Sequence, residues 1–387
     1  MERIGIYGGT FNPPHLGHIR AAEYAIGALG LDKLLMIPSK ISPHKVLPQD
    51  SPTPVQRLEM LQIATAGMEK IQVSDLELNR EGTSYTWQTV QQVRRMYPDA
   101  KIFLLMGTDM FLSFHNWRNP ELITEDAALG VFYRGEKGEV DAINARKGEV
   151  DWEVELIQNP IVDISSTQLR RMLVFQCADS FLPNGVGEYI RRHGFYGTDE
   201  SYVNLPVEEL EKVVVSLLNP NRVAHVLGCR DTAAELAKIW GADETDAARA
   251  GLLHDITKAL DGPLQLTLCD AYGTMLTKFG KEHPKTLHAL TGSLVAQRIF
   301  GEKREVVSAI ASHTTGKAGM NTLEKIIYVA DYMEPNRSFP GVEKLRQLAF
   351  TDLDGAMKLG LEMTMEHLAR QGSTVSPASL EALAYFN

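Results

Sequence analysis

Cysteine is scarce in this chain of 387 residues: Cys177, Cys229 and Cys269 stand apart, in neither paired nor metal-type spacing. They read as small core residues of a reducing compartment, which excludes a disulfide framework. Long apolar runs are missing too. None nears the roughly 20 residues that a bilayer-spanning helix needs, and Met1-Glu2-Arg3 leads straight into the first strand with no secretory pattern. The expected location is the cytoplasm. Positive charge is short as well, because 39 Lys and Arg stand against 49 Asp and Glu, a net charge of -10. That argues against a broad surface for nucleic acid or anionic membrane, since such binding draws on clustered Lys and Arg. Small polyphosphates remain open, because a few local donors and a metal ion suffice for them. Internal repeats, heptads and low-complexity tracts are absent, and 44% hydrophobic residues suffice for the cores of two or three domains.

What is present changes texture along the chain. Arg3–Tyr7, Lys33–Pro38, Lys101–Met106, Leu129–Tyr133 and Val154–Ile157 are short apolar runs that read as strands, with helical patterns around Val55–Ala66 and Thr86–Tyr97. This alternation predicts a doubly wound parallel α/β sheet with ligands at the carboxyl ends of its strands. The polar, turn-rich segment Gly197–Pro206 marks a boundary, so one domain is expected over 1–198 and a second over 207–387. Beyond Pro206 helical periodicity takes over in Val207–Leu218, Val223–Trp240, Asp246–His254, His288–Phe300 and Arg304–Ser312, which predicts an all-α second domain.

Two stretches of the first domain suit a triphosphate. After the first strand come Gly8, Gly9, Thr10 and Phe11, where glycine lets the backbone turn sharply and approach a ligand. His15 and His18 follow at a helix entry, three apart, so both rings can reach one face and donate to phosphate oxygens. Ser165-Ser166-Thr167 then opens a helix running to about Phe175, where unsatisfied N–H groups favour an anion, and Arg170 one turn later can clamp phosphate in a bidentate way. The order His15-Leu16-Gly17-His18 and then Ser166-Thr167-x-x-Arg170 resembles the nucleotidyltransferase superfamily with a Rossmann-like fold.

Pro43-His44-Lys45, Thr83-Ser84-Tyr85-Thr86, Gly107-Thr108-Asp109, Trp117 and the segment Val186–Tyr196 narrow this: with the cradle they resemble the bacterial nicotinate-nucleotide adenylyltransferase family. The resemblance implies AMP transfer from ATP to nicotinate mononucleotide, giving deamido-NAD and pyrophosphate. It implies that His15 and His18 hold the α-phosphate, and that Ser166, Thr167 and Arg170 hold the leaving pyrophosphate with Mg²⁺. Trp117 would stack on the pyridine ring, the Tyr85-Thr86 backbone would bind its carboxylate, and His44, Lys45 and Asp109 would face the two nucleotides. Trp117 as a half-buried apolar anchor and Asp109 as a helix cap are the plain alternatives. Phosphoryl-type transfer needs positioning and charge neutralisation rather than a covalent nucleophile, in keeping with these residue types. A pantetheine-phosphate adenylyltransferase is the nearest rival, but it leaves Trp117 and Thr83–Thr86 without a role.

The second domain carries His225, His254-Asp255, His288, His313 and Asp331. Imidazole and carboxylate together suit divalent first-row metals, and six such side chains are enough for two ions with open positions. Their order resembles the HD-domain metal-dependent phosphohydrolases. The contexts Arg222–His225, His254–Lys258, His313–Gly316 and Asp331–Arg337 are similar to the bacterial HD branch that splits diadenosine tetraphosphate into two ADP. That similarity implies a dinuclear centre, of iron, with Asp255 bridging and a metal-activated water attacking phosphorus; Lys258, Lys317 and Arg337 would hold the remaining phosphates. The rival is a nucleotide-sensing module that binds without cleaving and regulates the first domain. Partners are thus small nucleotides, with no nucleic acid and no membrane; self-association stays open.

Overall fold

The computed structural model describes residues 1–41, 47–48, 50–159 and 164–386, so His44 and Lys45 lie outside the described residues. The chain divides into two compact units, Met1–Asp199 and Glu200–Asn387.

The first unit is built on six parallel strands, β1 (Arg3–Gly9), β2 (Lys33–Pro38), β3 (Ile71–Val73), β4 (Lys101–Gly107), β5 (Ala128–Tyr133) and β6 (Val154–Gln158), in the order β3-β2-β1-β4-β5-β6. Its helices are α1 (Leu16–Leu29), α2 (Pro54–Ala64), α3 (Thr86–Met96), α4 (Thr108–Leu112), α5 (Pro120–Thr124), α6 (Glu139–Gly148), α7 (Ser166–Val174) and α8 (Val186–Arg192). The inner strands read as unbroken apolar runs because helices cover both faces of a parallel sheet. Ile4, Ile6, Leu35, Ile37, Leu104, Met106, Leu129 and Val131 are all buried there. The β3 edge strand escapes the sequence reading because three residues, Ile71-Gln72-Val73, are too short to show a period. The strand order reverses between β1 and β4, so the crevice past their carboxyl ends lies between the turn after Gly9 and the turn after Gly107.

The second unit contains only helices among its described residues: α9 (Val207–Leu217), α10 (Val223–Trp240), α11 (Glu244–Leu253), α12 (Gly262–Ala271), α13 (Lys278–Glu282), α14 (His288–Arg298), α15 (Arg304–Ser312), α16 (Thr322–Met333), α17 (Val342–Ala349), α18 (Leu353–Arg370) and α19 (Pro377–Tyr385). Its centre is the mutual packing of α10, α11, α14, α15 and α16. Gly251 permits the closest approach, since a Cβ there would stand 2.7 Å from the Arg230 Cα. Among the described residues, no helix is long and apolar enough to cross a membrane.

Candidate active sites of the two units

In the first unit, β1 delivers Gly8 and Gly9 to the crevice and the chain turns through Thr10–Pro14 into α1. Phe11 sits at φ 46°, in the left-handed region, and its buried ring packs edge-on against His18 at 5.0 Å and Tyr7 at 5.8 Å. The Phe11 side chain therefore buttresses the histidine, and only its backbone is left to face a ligand. His15 caps α1 and His18 lies one turn in, their ring centroids 3.7 Å apart. The backbone N–H of His15 donates to His18 Nδ1 at 3.2 Å. An acceptor Nδ1 fixes the neutral tautomer with its proton on Nε2, which makes Nε2 a donor. Burial pulls the His15 pKa down to about 4, so this ring too is neutral near pH 7.

The second stretch meets the first. Ser165 is the cap of α7: its Oγ accepts from Gln168 N at 3.2 Å while its own N–H donates to Gln168 Oε1 at 2.9 Å. Capping thus uses Ser165 and leaves Ser166 and Thr167 to other work. Ser166 Oγ donates to Pro13 O at 3.2 Å, and the Arg170 guanidinium donates to Asn12 O at 2.8 Å and to Thr167 Oγ1 at 3.2 Å. Residues more than 150 positions apart in sequence are thereby brought together.

Three residues to which the sequence reading assigns no role complete this loop. Asn12 is buried; its Oδ1 accepts from the Tyr196 hydroxyl at 2.7 Å and its Nδ2 donates to Ser51 Oγ at 3.0 Å. Burial holds the Tyr196 hydroxyl protonated, far above its ordinary pKa, and its backbone sits at φ 59°. Arg57 on α2 is 1% exposed and donates to Thr10 O at 2.6 Å and Ser39 O at 2.7 Å, tying the loop after β1 to the end of β2.

Tyr85 caps α3 through its backbone, without a side-chain cap bond, and Thr86 opens the helix. Arg118, also missed, lies over the Tyr85 ring at 4.6 Å. The segment before α3 is fastened by Lys40 N donating to Ser84 Oγ at 3.2 Å and Lys40 Nζ to Arg80 O at 2.6 Å. Gly107 caps α4 and Asp109 sits exposed in its first turn, so Asp109 is not the cap. Trp117 is half-buried against Phe114, ring centroids 5.2 Å apart.

In the second unit the six residues converge from five helices, Asp255 coming from the turn after α11. His225 lies in α10, His254 caps the end of α11, His288 opens α14, His313 caps the end of α15 and Asp331 belongs to α16. Three imidazoles use Nδ1 on the carbonyl three residues earlier: His254 on Gly251 at 2.7 Å, His288 on Lys285 at 3.0 Å and His313 on Ile310 at 2.7 Å. His225 Nδ1 instead faces Glu334 Oε1 at 3.1 Å. The Nε2 atoms of all four rings therefore point inward, toward Asp255. Asp255 stands among them with Oδ2 at 3.6 Å and 3.5 Å from the Nε2 atoms of His225 and His254, and Oδ1 at 3.6 Å and 3.9 Å from those of His288 and His313. Asp331 Oδ1 is 3.1 Å from His225 Nε2. Burial brings His254 and His313 down to about 3, with the positive form of His254 adding to the effect on His313, and lowers His288 as well. Imidazole nitrogens and carboxylate oxygens gathered this way fit divalent ions; the triads His225-His254-Asp331 and His254-Asp255-His313 each hold their donor atoms within 4.8 Å of one another.

Cations surround the cluster. Arg222 pairs with Asp255 and Arg337 with Asp331 at 2.6 Å. Lys258 Nζ is 2.9 Å from His288 Nε2, and burial followed by the nearby Arg222 lowers its pKa to about 8. Lys317 is held elsewhere, by Glu324 Oε1 at 2.6 Å and Ser308 Oγ at 3.0 Å. The Thr314 hydroxyl, at 3.0 Å and 3.1 Å from the Nε2 atoms of His288 and His313, joins the set unannounced by the sequence.

Comparison with known proteins agrees with this division. The cytidylyltransferase-like family model matches residues 6–172 and the HD domain model residues 222–336. The probable nicotinate-nucleotide adenylyltransferase of Neisseria meningitidis serogroup C is 32% identical over 205 residues, 51% of this chain and 99% of that protein. The chain belongs, through its first half, to the nicotinate-nucleotide adenylyltransferase family. Its Listeria monocytogenes serotype 4a relative of the same name is 35% identical over 198 residues, 51% of this chain and 98% of that protein. The second half carries an HD domain. A crystal structure described as a predicted HD superfamily hydrolase involved in NAD metabolism, from Clostridium acetobutylicum, is 35% identical and covers 47% of this chain and 97% of its own, with a TM-score of 0.46.

Proposed function

We propose that the first unit transfers AMP from ATP to nicotinate mononucleotide, releasing pyrophosphate and forming deamido-NAD. The observation that carries the reading is the meeting of the His15-His18 turn with Ser166, Thr167 and Arg170, within a chain of this family. The acceptor's phosphate oxygen attacks the α-phosphorus of ATP in line, and the bond to the pyrophosphate breaks. Near pH 7 the neutral His15 and His18 rings would each offer one N–H to the α-phosphate. Arg170 with the Ser166 and Thr167 hydroxyls would take the charge that develops on pyrophosphate, whose Mg²⁺ arrives with ATP. Trp117 would stack on the pyridine ring, and the N–H groups at the start of α3, not capped by a side chain, would receive its carboxylate. We likewise propose that His44, Lys45 and Asp109 face the two nucleotides.

For the second unit we propose a dinuclear hydrolase that consumes one water and splits diadenosine tetraphosphate into two ADP. The arrangement of Asp255, one oxygen toward each pair of imidazoles, is what supports it. His225, His254, Asp255 and Asp331 would hold one ion and Asp255, His288 and His313 the other, iron being our choice. Such ions lower the pKa of a bound water and offset phosphate charge. Arg222, Arg337 and Lys258 supply positive charge for the phosphates; Lys317 would first have to leave Glu324.

The activities are assigned to residues 1–198 and 207–387. Chromatography of products from the purified protein tests both. Turnover of nicotinate mononucleotide but not phosphopantetheine, and of diadenosine tetraphosphate to ADP alone, is expected; phosphopantetheine turnover, or binding of the tetraphosphate without cleavage, refutes the respective half.

A further inference from the structure

We infer that Glu334 is a positioning residue of the second unit's metal centre, fixing the His225 proton on Nδ1 and making the His225, His254 and Asp331 side the tighter of two metal positions. The inference rests on the metal-centre reading above. Three of the four imidazoles hand their Nδ1 proton to a carbonyl of their own backbone, whereas His225 meets the carboxylate of Glu334 at 3.1 Å.

This carboxylate is held in place from several directions. Glu334 is 1% exposed, and its Oε2 accepts from Asn336 N and Asn336 Nδ2, both at 2.8 Å. Asn336 Nδ2 also donates to Ala224 O at 3.0 Å, the residue before His225, and Arg346 donates to Glu334 O at 3.0 Å. Room for it comes from Gly228, one turn beyond His225 on α10, where a Cβ would stand 2.3 Å from Glu334 Oε2 and 3.1 Å from Asn336 Nδ2.

A hydrogen bond to an ionised acceptor is roughly twice as strong as one to a neutral carbonyl, and it leaves the opposite ring nitrogen more electron-rich. His225 Nε2 is thus the strongest imidazole donor of the four. Because it lies 3.1 Å from Asp331 Oδ1 and 3.3 Å from His254 Nε2, the extra donor strength falls on one side of Asp255 only.

Calorimetric titration of the chelator-treated, full-length protein with Co²⁺ tests this. Wild type should take up two ions in two resolved steps. Glu334→Ala should weaken the tighter step about 10- to 100-fold, the usual range for such partners, and leave the other step unchanged. Glu334→Gln, which keeps an acceptor oxygen without the charge, should fall between. Gly228→Ala should reproduce the Glu334→Ala loss with the carboxylate and every ligand retained in the sequence. Equal weakening of both steps overturns the inference, as does a lower melting temperature with Co²⁺ affinity unaltered. Wild-type protein that takes up no Co²⁺ instead overturns the metal-centre reading itself.

Discussion

Acidification of the metal-free protein should unfold the second unit well before ordinary acid denaturation. His254 and His313 are fully buried, and burial brings both to about 3, against about 6.5 in an unfolded chain. The sign follows from proton binding. Between those values the unfolded state takes up protons that the folded state refuses, so the stability is present above pH 6.5 and is lost as pH falls toward 3. Each pH unit costs about 1.4 kcal/mol per ring. From pH 6.5 to 5 that is about 2 kcal/mol for each, about 4 kcal/mol for the pair, and His288 shifts in the same direction. With a urea slope of about 2 kcal/mol/M the midpoint of the second unit should drop by about 2 M.

The assay is urea unfolding with chelator at pH 7 and pH 5, read by pulsed hydrogen exchange on peptides of α10, α11, α14 and α15 so that the two units report separately. The first unit has one comparable ring, His15 near 4, and should lose about half as much. A second-unit midpoint that is level between the two pH values, or higher at pH 5, refutes the claim that these imidazoles are neutral and buried, and with it their readiness to bind metal without first releasing protons.

His18→Ala should cost adenylyl transfer about 10²- to 10³-fold, the worth of one preorganised donor, and spare hydrolysis; a variant keeping most of its transferase rate would sink the assignment. Asp255→Asn should abolish tetraphosphate cleavage and lower bound metal while transfer continues, because an amide lacks the charge and the second strong oxygen that sit between the two imidazole pairs; metal analysis beside product chromatography decides it. Arg57→Met should leave the Thr10 and Ser39 carbonyls without their donor, costing about 2 to 3 kcal/mol in first-unit stability and slowing transfer but not hydrolysis; equal melting curves for wild type and variant would refute that role.

The residues that declare themselves in the sequence are those whose chemistry is written in a short stretch. His15 and His18 stand three apart at a helix entry, and Ser165–Arg170 combines a cap with the hydroxyls and guanidinium we propose for pyrophosphate. The strands β1, β2, β4, β5 and β6 are likewise apolar runs long enough to show. The residues that stay hidden act across the fold. Arg57 looks like any arginine on an amphipathic helix until its guanidinium is found buried on two carbonyls. Asn12 and Tyr196 meet across 184 positions, and no local pattern announces a contact of that range.

The same distinction separates the lysines of the second unit. Lys258 and Lys317 both follow a histidine motif by a few residues, and residue type alone gives them equal claim on a phosphate. Packing divides them: Lys258 is held 2.9 Å from His288 Nε2 with its pKa lowered to about 8, while Lys317 is paired with Glu324. Glu334 is the opposite case, an acid in the run Asp331–Arg337 that reads as one more charged residue beside a ligand. What gives it a role is the absence of a side chain at Gly228, and a glycine inside a helix announces only that something comes close, not what. Residue types and order name candidate metal ligands, then, but they do not mark the carboxylate facing His225, which we propose sets the tighter of the two positions.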